Sequence, residues 1–539
     1  MKKKIIEIIK KTLKELNYPI INPEIQKPKN DVGTDFATNI AFKLSGAIKE
    51  NPHEIALKIK EKMDRLDFFS KTEVAKPGFI NFSFKSEFIL NGLKNIIKKG
   101  EKFGRNDIGK NKKVLIEFVS ANPTGPLTVG HGRGAIIGDV MSNIYSWNGY
   151  NVTREYYYNN AGRQMRKLGE STYARYLELH NVEYNFPEDG YKGDYIKEIA
   201  KNITKKFQDD LLGDSNLDFF KNEKEKYIFK GIEKTLSDIG IKFDSFFNEN
   251  SLYENNKIFD TIEKLKEQNL IYKKDGATWF KGTDIGRPAD RVLIKSTGEP
   301  TYRLPDIAYH ATKFDRGYEI CIDIFGADHM DAYPDVLAAI KQLNYNDDNV
   351  KVLIHQFISI LKDGKPVKMS TREANFITLN ELINEVGKDV LRYFFIMRSM
   401  NSHLNFDLKL AKEKSENNPV YYIQYANARI SNILNKASDL NTETNPELNN
   451  LSLDIELKII NSLMEFEELI IKLTEVNEPQ LITNYLFELA SLFHKYYAHN
   501  RIINENMELT SSRLVLIKAI QIVLKNGLTI LGISHPDRM

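Results

Sequence analysis

Two short stretches carry residues suited to handling phosphate. Gly130-His131-Gly132-Arg133-Gly134 opens a segment with a helical pattern that runs to Tyr145. A histidine at a helix start, among glycines that let a ligand come close, faces phosphate oxygens with backbone N–H groups behind it. Far along the chain, Val367-Lys368-Met369-Ser370-Thr371-Arg372 follows a turn signal at Asp363-Gly364 and puts a movable positive charge on a short loop. Alone, such a histidine is a cap and such a lysine is solvated; the two together in one α/β region are far less expected by chance. Glu117 is a third anomaly, a carboxylate within the apolar run Val114–Val119. Open parallel sheets bury such runs and bind ligands at their ends. Tyr302 and Asp306 are spaced four apart, which puts both on one face if the segment is helical.

Two other phosphate motifs compete. Gly104 to Lys110 matches most of a P-loop, but Asn111 stands where a Ser or Thr would ligate magnesium, and the loop precedes its strand. It reads as a charged linker. Gly130 to Ala135 fits a dinucleotide fingerprint, with Glu155 downstream as the acidic partner of a nicotinamide-dependent oxidoreductase. That fingerprint needs its first glycine at the strand's end, and here Ser120 to Val129 intervene.

The elements that must hold these residues follow from periodicity. Val114–Val119, the helix from Gly130 and Val152–Tyr158 make a βαβ unit, the opening of a doubly wound parallel sheet. Further sheet-like runs are Arg291–Ile294, Glu319–Phe325 and Val350–Ile354. Residues 1–110 read as a small α+β domain, with a helix over Ile5–Leu16, a second over Phe36–Ala47 and a strand over Gly78–Phe84. Residues 111–405 are the α/β domain, with a charged helical insertion at about 165–285. From 406 to 539 apolar residues step by three or four, the pattern of an all-helical bundle.

Composition narrows the class. The 539 residues are 42% hydrophobic and 28% charged, as in folded cytosolic-type proteins. The single cysteine, Cys321, excludes an intramolecular disulfide and a cysteine zinc cluster. Lys and Arg number 76 against 73 Asp and Glu, a balance that leaves nucleic-acid binding to a local basic face. We find no unbroken apolar run of ~18 residues and expect no transmembrane helix. The Met-Lys-Lys-Lys start is followed by charges that leave no signal-peptide core.

Taken in order, the motifs resemble those of class I aminoacyl-tRNA synthetases. Thr128-Val129-Gly130-His131 is similar to the HIGH box and Lys368–Arg372 to the KMSKS box. Thr128 replaces the usual first histidine and Thr371 the usual second lysine. The lead-in Ile116–Pro126, Tyr158–Gln164, Gly298–His310, Gly326-Ala327-Asp328-His329 and the ending Leu531–Pro536 resemble arginyl-tRNA synthetase over essentially the whole chain. The resemblance implies a Rossmann-like catalytic domain, an N-terminal additional domain touching the corner of the tRNA, and a C-terminal anticodon-binding bundle. It implies an arginine–tRNA ligase that forms arginyl-adenylate from L-arginine and ATP and transfers arginine to the 2′-hydroxyl of the terminal adenosine of tRNA(Arg). ATP enters with Mg2+ as a substrate complex, with no zinc and no bound organic cofactor. A cytoplasmic monomer with no membrane partner is expected. The alternative is a non-catalytic tRNA-binding relative.

Residue roles follow from the same resemblance. Thr128, His131 and Lys368 are catalytic, and Gly130, Gly132, Met369 and Ser370 join them around ATP. Glu117, Tyr302 and Asp306 surround the guanidinium, whose planar fork wants paired carboxylates. Ser120 and Asn122 lie near the α-amino and carboxylate ends, and Asp328 adds a polar contact. Phe79 and Asn81 meet a D-loop base. Tyr421, Tyr422, Gln424, Tyr425, Asn427 and Arg429 offer groups to unstacked anticodon bases, as do Tyr496, Tyr497 and Arg501. Glu117→Gln is expected to raise the arginine KM and leave the fold intact.

Overall fold

The computed structural model describes every residue except 1, 27–33, 35, 161, 213–216, 328–329, 331, 368–376, 441–442 and 444–445, and at residues 2, 3 and 162 it describes the backbone only. The N-terminal domain packs helices Lys2–Glu15, Ile40–Ile48 and Pro52–Asp64 on an antiparallel sheet. The strand order is Ile25–Gln26, Phe36–Thr38, Phe79–Phe84, Phe69–Ala75. Phe36 to Thr38 is therefore a strand, and the helix expected from Phe36 starts only at Ile40. All three residues are buried and pair with Ile80–Phe82, so sheet contacts override the helical pattern.

The central sheet has five strands, all parallel: β1 (Lys113–Glu117), β2 (Asn151–Tyr158), β3 (Ser245–Asn248), β4 (Ile320–Gly326) and β5 (Val350–His355). Their order is β5-β4-β1-β2-β3, the doubly wound arrangement. The chain reverses direction across the sheet between β1 and β4, where Glu117 lies beside Asp323. Helix α1 (Val129–Trp147) joins β1 to β2 and is buried on nearly every side. A side chain at Gly138 would put its Cβ 2.1 Å from the Phe118 ring, so helix and sheet approach closely only because glycine stands there.

The insertion departs from expectation. Helices Gly162–Leu179, Asp194–Phe207 and Leu217–Asp238 are present, but Ser245–Asn248 then joins the central sheet as its edge strand. Ile271–Lys274, Ala277–Phe280 and Arg291–Ile294 form a separate antiparallel sheet, so Arg291–Ile294 does not rejoin the main one. The bundle is built on Pro419–Ala437, Asp454–Met464, Phe466–Val476, Gln480–His499 and Met507–Leu531. Just before it, Leu404–Asp407 is a strand paired in parallel with Ile358–Leu361 of the Asp363-Gly364 hairpin. Met507–Leu531 is long and apolar enough to cross a membrane by length and composition alone, although charged residues interrupt it. In this fold 67% of its most apolar stretch is buried, as in a core helix.

Arg392 binds three units together. Wholly buried, it donates from Nη2 to Asp139 of α1, from Nε to the Leu531 carbonyl of the bundle (2.6 Å) and from Nη1 to the Ile239 carbonyl of the insertion (3.0 Å). Gly532 ends the last helix at φ 66° against this guanidinium, and a Cβ there would strike it.

Candidate active site

A cavity of about 1110 Å³ opens where β1 and β4 part, at the C-terminal ends of the strands. Glu117, Ser120, Asn122, Thr128, Gly130, His131, Tyr302 and Asp306 all line it. The chain leaves β1 through two residues in the left-handed region, Val119 (φ 69°) and Ser120 (φ 42°). For a β-branched valine this is a costly conformation, of the kind that clusters at functional sites. It turns Ser120 back, so that its hydroxyl donates to Glu117 Oε1 (2.9 Å) and accepts from the Tyr157 N–H (3.3 Å). Asn122 Oδ1 accepts from the Asn159 N–H (3.0 Å).

Glu117 does not stand open to the cavity as a spare carboxylate. Lys313, from helix α2 (Arg303–Asp315), is wholly buried with Nζ 2.6 Å from Glu117 Oε2 and 2.5 Å from Asp323 Oδ1. His310 Nε2 lies 2.9 Å from Asp323 Oδ2. Burial pushes the Asp323 carboxyl up, but Lys313 and His310 outweigh it and hold it below the ordinary range. Glu117 has a smaller share of the ammonium, and burial leaves its carboxyl raised. For Lys313 burial favours the neutral amine, and the two carboxylates overcome it.

Asp306 lines the same space, and among the described residues no ion pair reaches its carboxylate. Burial, reinforced by Glu117 and Glu249 and opposed by His310 and Lys313, pushes its carboxyl up to about 7. Glu249, just past β3, also lines the cavity and is raised by burial. It accepts from Tyr157 OH (2.6 Å) and Asn159 Nδ2 (2.7 Å). None of Glu249, Lys313, His310, Tyr157 and Asn159 is among the site residues expected from the sequence. His310 and Lys313 fall four and seven residues after Asp306, on one helix face, a signal that was there to use. Three carboxylates, Glu117, Asp306 and Glu249, line the cavity, and the one buried ammonium behind them is shared by Glu117 and Asp323, so the space suits a cation.

The other end of the cavity is the start of α1. Thr128 caps the helix by accepting from the His131 N–H (3.5 Å), and the Thr128 N–H donates to His131 Nδ1 (3.1 Å). Threonine suits an N-cap, so this departure from histidine has a local structural use. With Nδ1 accepting, the neutral ring carries its proton on Nε2. Gly132 does not line the cavity: a Cβ there would meet Leu379 (2.5 Å) and Phe395, so its smallness serves helix packing. Lys368, Met369, Ser370 and Asp328 lie outside the described residues. Ile377, just after that stretch, lines the cavity, and Thr378 pairs with Thr128 in an isolated bridge. Glu155 accepts both Arg316 Nη1 (2.5 Å) and Nη2 (2.8 Å), as well as Tyr309 OH (2.7 Å), so it is not the free acid a dinucleotide site needs.

Family comparison assigns residues 92–400 to "tRNA synthetases class I (R), catalytic domain". Residues 3–84 match the arginyl tRNA synthetase N terminal domain, and 423–539 the DALR anticodon binding domain. The chain belongs to the arginyl-tRNA synthetases. The arginine–tRNA ligase of Desulfotalea psychrophila is 46% identical over 520 residues, 96% of this chain and 94% of that one. That of Salinibacter ruber is 44% identical, covering 96% of each. Thermus thermophilus arginyl-tRNA synthetase shares the fold at a TM-score of 0.78 and 20% identity, over 100% of both chains.

As an arginyl-tRNA synthetase, the chain carries its RNA-facing candidates on two outer domains, and the structure divides them. Tyr425 is exposed, and Arg429 donates to its hydroxyl (2.8 Å) while lying over the Tyr425 and Tyr497 rings at 4.4 and 5.0 Å. Asn427 is wholly buried, its amide nitrogen donating to the carbonyls of His535 (3.0 Å) and Pro536 (2.7 Å). It pins the C-terminal segment and is unavailable to a base. Gln424 and Tyr496 are likewise buried, bonded to Asp389 and Glu456. Phe79 is half-buried against Phe42 (5.2 Å between centroids), and Asn81 is 7% exposed in mid-sheet.

Proposed function

We propose that the acidic end of the cavity takes the arginine guanidinium and that the α1 end takes ATP. The enzyme then activates L-arginine as arginyl-adenylate and passes it to the 2′-hydroxyl of the terminal adenosine of tRNA(Arg). The observation carrying this reading is that Glu117, Asp306 and Glu249 line one cavity, with the Asp306 carboxyl raised by burial so that a bound cation would return it to its ionised form. Asp306 and Glu249 pair with the guanidinium, and Tyr302 closes the rim. Glu117, locked by Lys313 and Ser120, fixes the negative wall between guanidinium and α-amino group. Asn122 meets the polar end of the substrate, with Asp328 as a further contact.

The first step brings the arginine carboxylate to the α-phosphorus as pyrophosphate leaves. Little covalent work falls to the protein, so positioning and charge stabilisation dominate. His131 presents its Nε2–H to phosphate oxygens at the positive end of α1. Losing one such donor costs about 10²–10³ in rate. Lys368, with Met369 and Ser370, serves the leaving pyrophosphate in this reading, and Mg2+ arrives with ATP. Tyr425 and Arg429 meet unstacked anticodon bases, and Phe79 a base of the D-loop. The enzyme acts as a cytoplasmic monomer without a membrane partner.

The test is ATP–pyrophosphate exchange with arginine, with and without tRNA(Arg), against lysine and citrulline. Arginine-dependent exchange is expected, with neither analogue replacing it. Exchange with citrulline equal to that with arginine would remove charge recognition from the cavity.

A further inference from the structure

Arg133 lies two residues past His131 on α1, and its side chain is wholly buried. Among the described residues no carboxylate receives it. Nη1 donates to the carbonyls of Gln356 (2.6 Å) and Ser402 (3.1 Å), and Nη2 to the carbonyl of Ser399 (3.1 Å). Nε has no partner. These carbonyls mark where two strands of the small sheet begin. Gln356 leads from β5 into strand Ile358–Lys362, and residues 399–402 lead into strand Leu404–Asp407 beside it. The Gln356 N–H donates to the Met400 carbonyl (2.9 Å), so the two segments are already stitched at the point Arg133 reaches.

A charge is a costly clip, because burying it without a counter-ion gives up its hydration. A lysine could not replace it: three acceptors on two segments need the planar, multi-donor fork of a guanidinium. The fork joins the helix that carries His131 to the base of the hairpin whose far strand runs on in sequence to Lys368.

We propose that Arg133 is a positioning residue for the adenylation step. It sets the spacing between the His131 end of α1 and the hairpin base, so that ATP is held from both sides. The inference rests on the assignment of the α1 end to ATP. The arginine end is built instead on β1, α2 and Glu249, which Arg133 does not touch.

The discriminating measurement is exchange kinetics of Arg133→Met and Arg133→Lys, alongside calorimetric arginine affinity and circular dichroism. Arg133→Met should lower kcat/KM for ATP about 10²-fold, the scale of an ångström-sized misplacement, with arginine affinity within about twofold of the parent. Arg133→Lys keeps the charge without the fork and should fall between, about tenfold down for ATP. A folded Met variant with parental ATP kinetics would overturn the proposal, and so would equal losses for arginine and ATP. If the Met variant does not fold, the Lys variant decides alone: an ATP-selective deficit supports the role and parental kinetics refute it. A parent chain without exchange would sink both this inference and the ATP assignment. An active parent matched by its variants would sink only the inference.

Discussion

Buried polar side chains occur both in the cavity and in the C-terminal bundle, and they differ in what satisfies them. In the bundle, the amide nitrogens of Gln424 and Asn427 and the hydroxyl of Tyr496 each donate to a protein acceptor, although Asn427 Oδ1 is left without a partner among the described residues. In the cavity, Asp306 is pressed on by burial and like charges, and no hydrogen bond among the described residues relieves its carboxylate. A satisfied buried polar group is a bolt; one held at electrostatic disadvantage is waiting for a ligand. Residue type alone does not separate the two.

The sharpest way to break this contrast is Asp306→Asn. If the carboxylate awaits a guanidinium, kcat/KM for arginine should fall about 10²–10³-fold, the cost of removing one partner of a buried charge pair, while melting temperature holds or rises. An unchanged KM would make Asp306 another bolt.

Glu117→Gln comes next and revises the expectation of an intact fold. With Lys313 buried against it, the substitution leaves the ammonium to Asp323 alone. We expect a stability loss of about 3 kcal/mol together with weaker arginine binding. Denaturant titration showing parental stability would mean that Asp323 suffices.

In the bundle the pair Asn427→Ala and Arg429→Ala should separate cleanly. The first should cost about 2 kcal/mol of stability through orphaned carbonyls, with the tRNA KM unmoved once the protein is folded. The second should leave stability near parental and raise the tRNA KM about tenfold, the scale of one lost stacking contact. The reverse pattern would exchange bolt and reader.

The smallest effect is in pH. Folded Asp306 titrates near 7, above its ordinary 3.8, so the native protein holds the extra proton between these values. Its contribution to the stability of the ligand-free enzyme is therefore lost as pH rises through that window. Arginine needs the ionised form, so its KM should rise about tenfold per unit as pH falls below 7. The thermal shift produced by arginine should grow from pH 6 to 8; a flat profile would sink the assignment.

These contrasts also show what was legible in the chain. β1, α1, β2 and the Asp363-Gly364 hairpin announce themselves because buried strands, helix starts and tight turns each demand particular residue types. β3 does not: an edge strand of four residues, none fully buried, carries no apolar run. The helical reading of the insertion therefore missed it, and with it Glu249, which only that strand brings to the cavity. Asp306 stood out through the family resemblance, with its spacing to Tyr302 as a secondary sign, whereas Lys313 looked like an ordinary helix charge until the fold put Glu117 and Asp323 beside it. Asn427 and Arg429, two positions apart on one helix, shared the same sequence argument, and only packing told them apart.

The Arg392 junction has a consequence for recombination. Its acceptors come from α1, the insertion and the last helix, and at position 532, where φ is 66°, any side chain would have to displace the guanidinium. The three units are therefore not interchangeable parts. A chimera that borrows a bundle from a relative is expected to keep this corner of α1 only if the borrowed chain also ends its last helix with a glycine there, so in this chain the three units are coupled through Arg392.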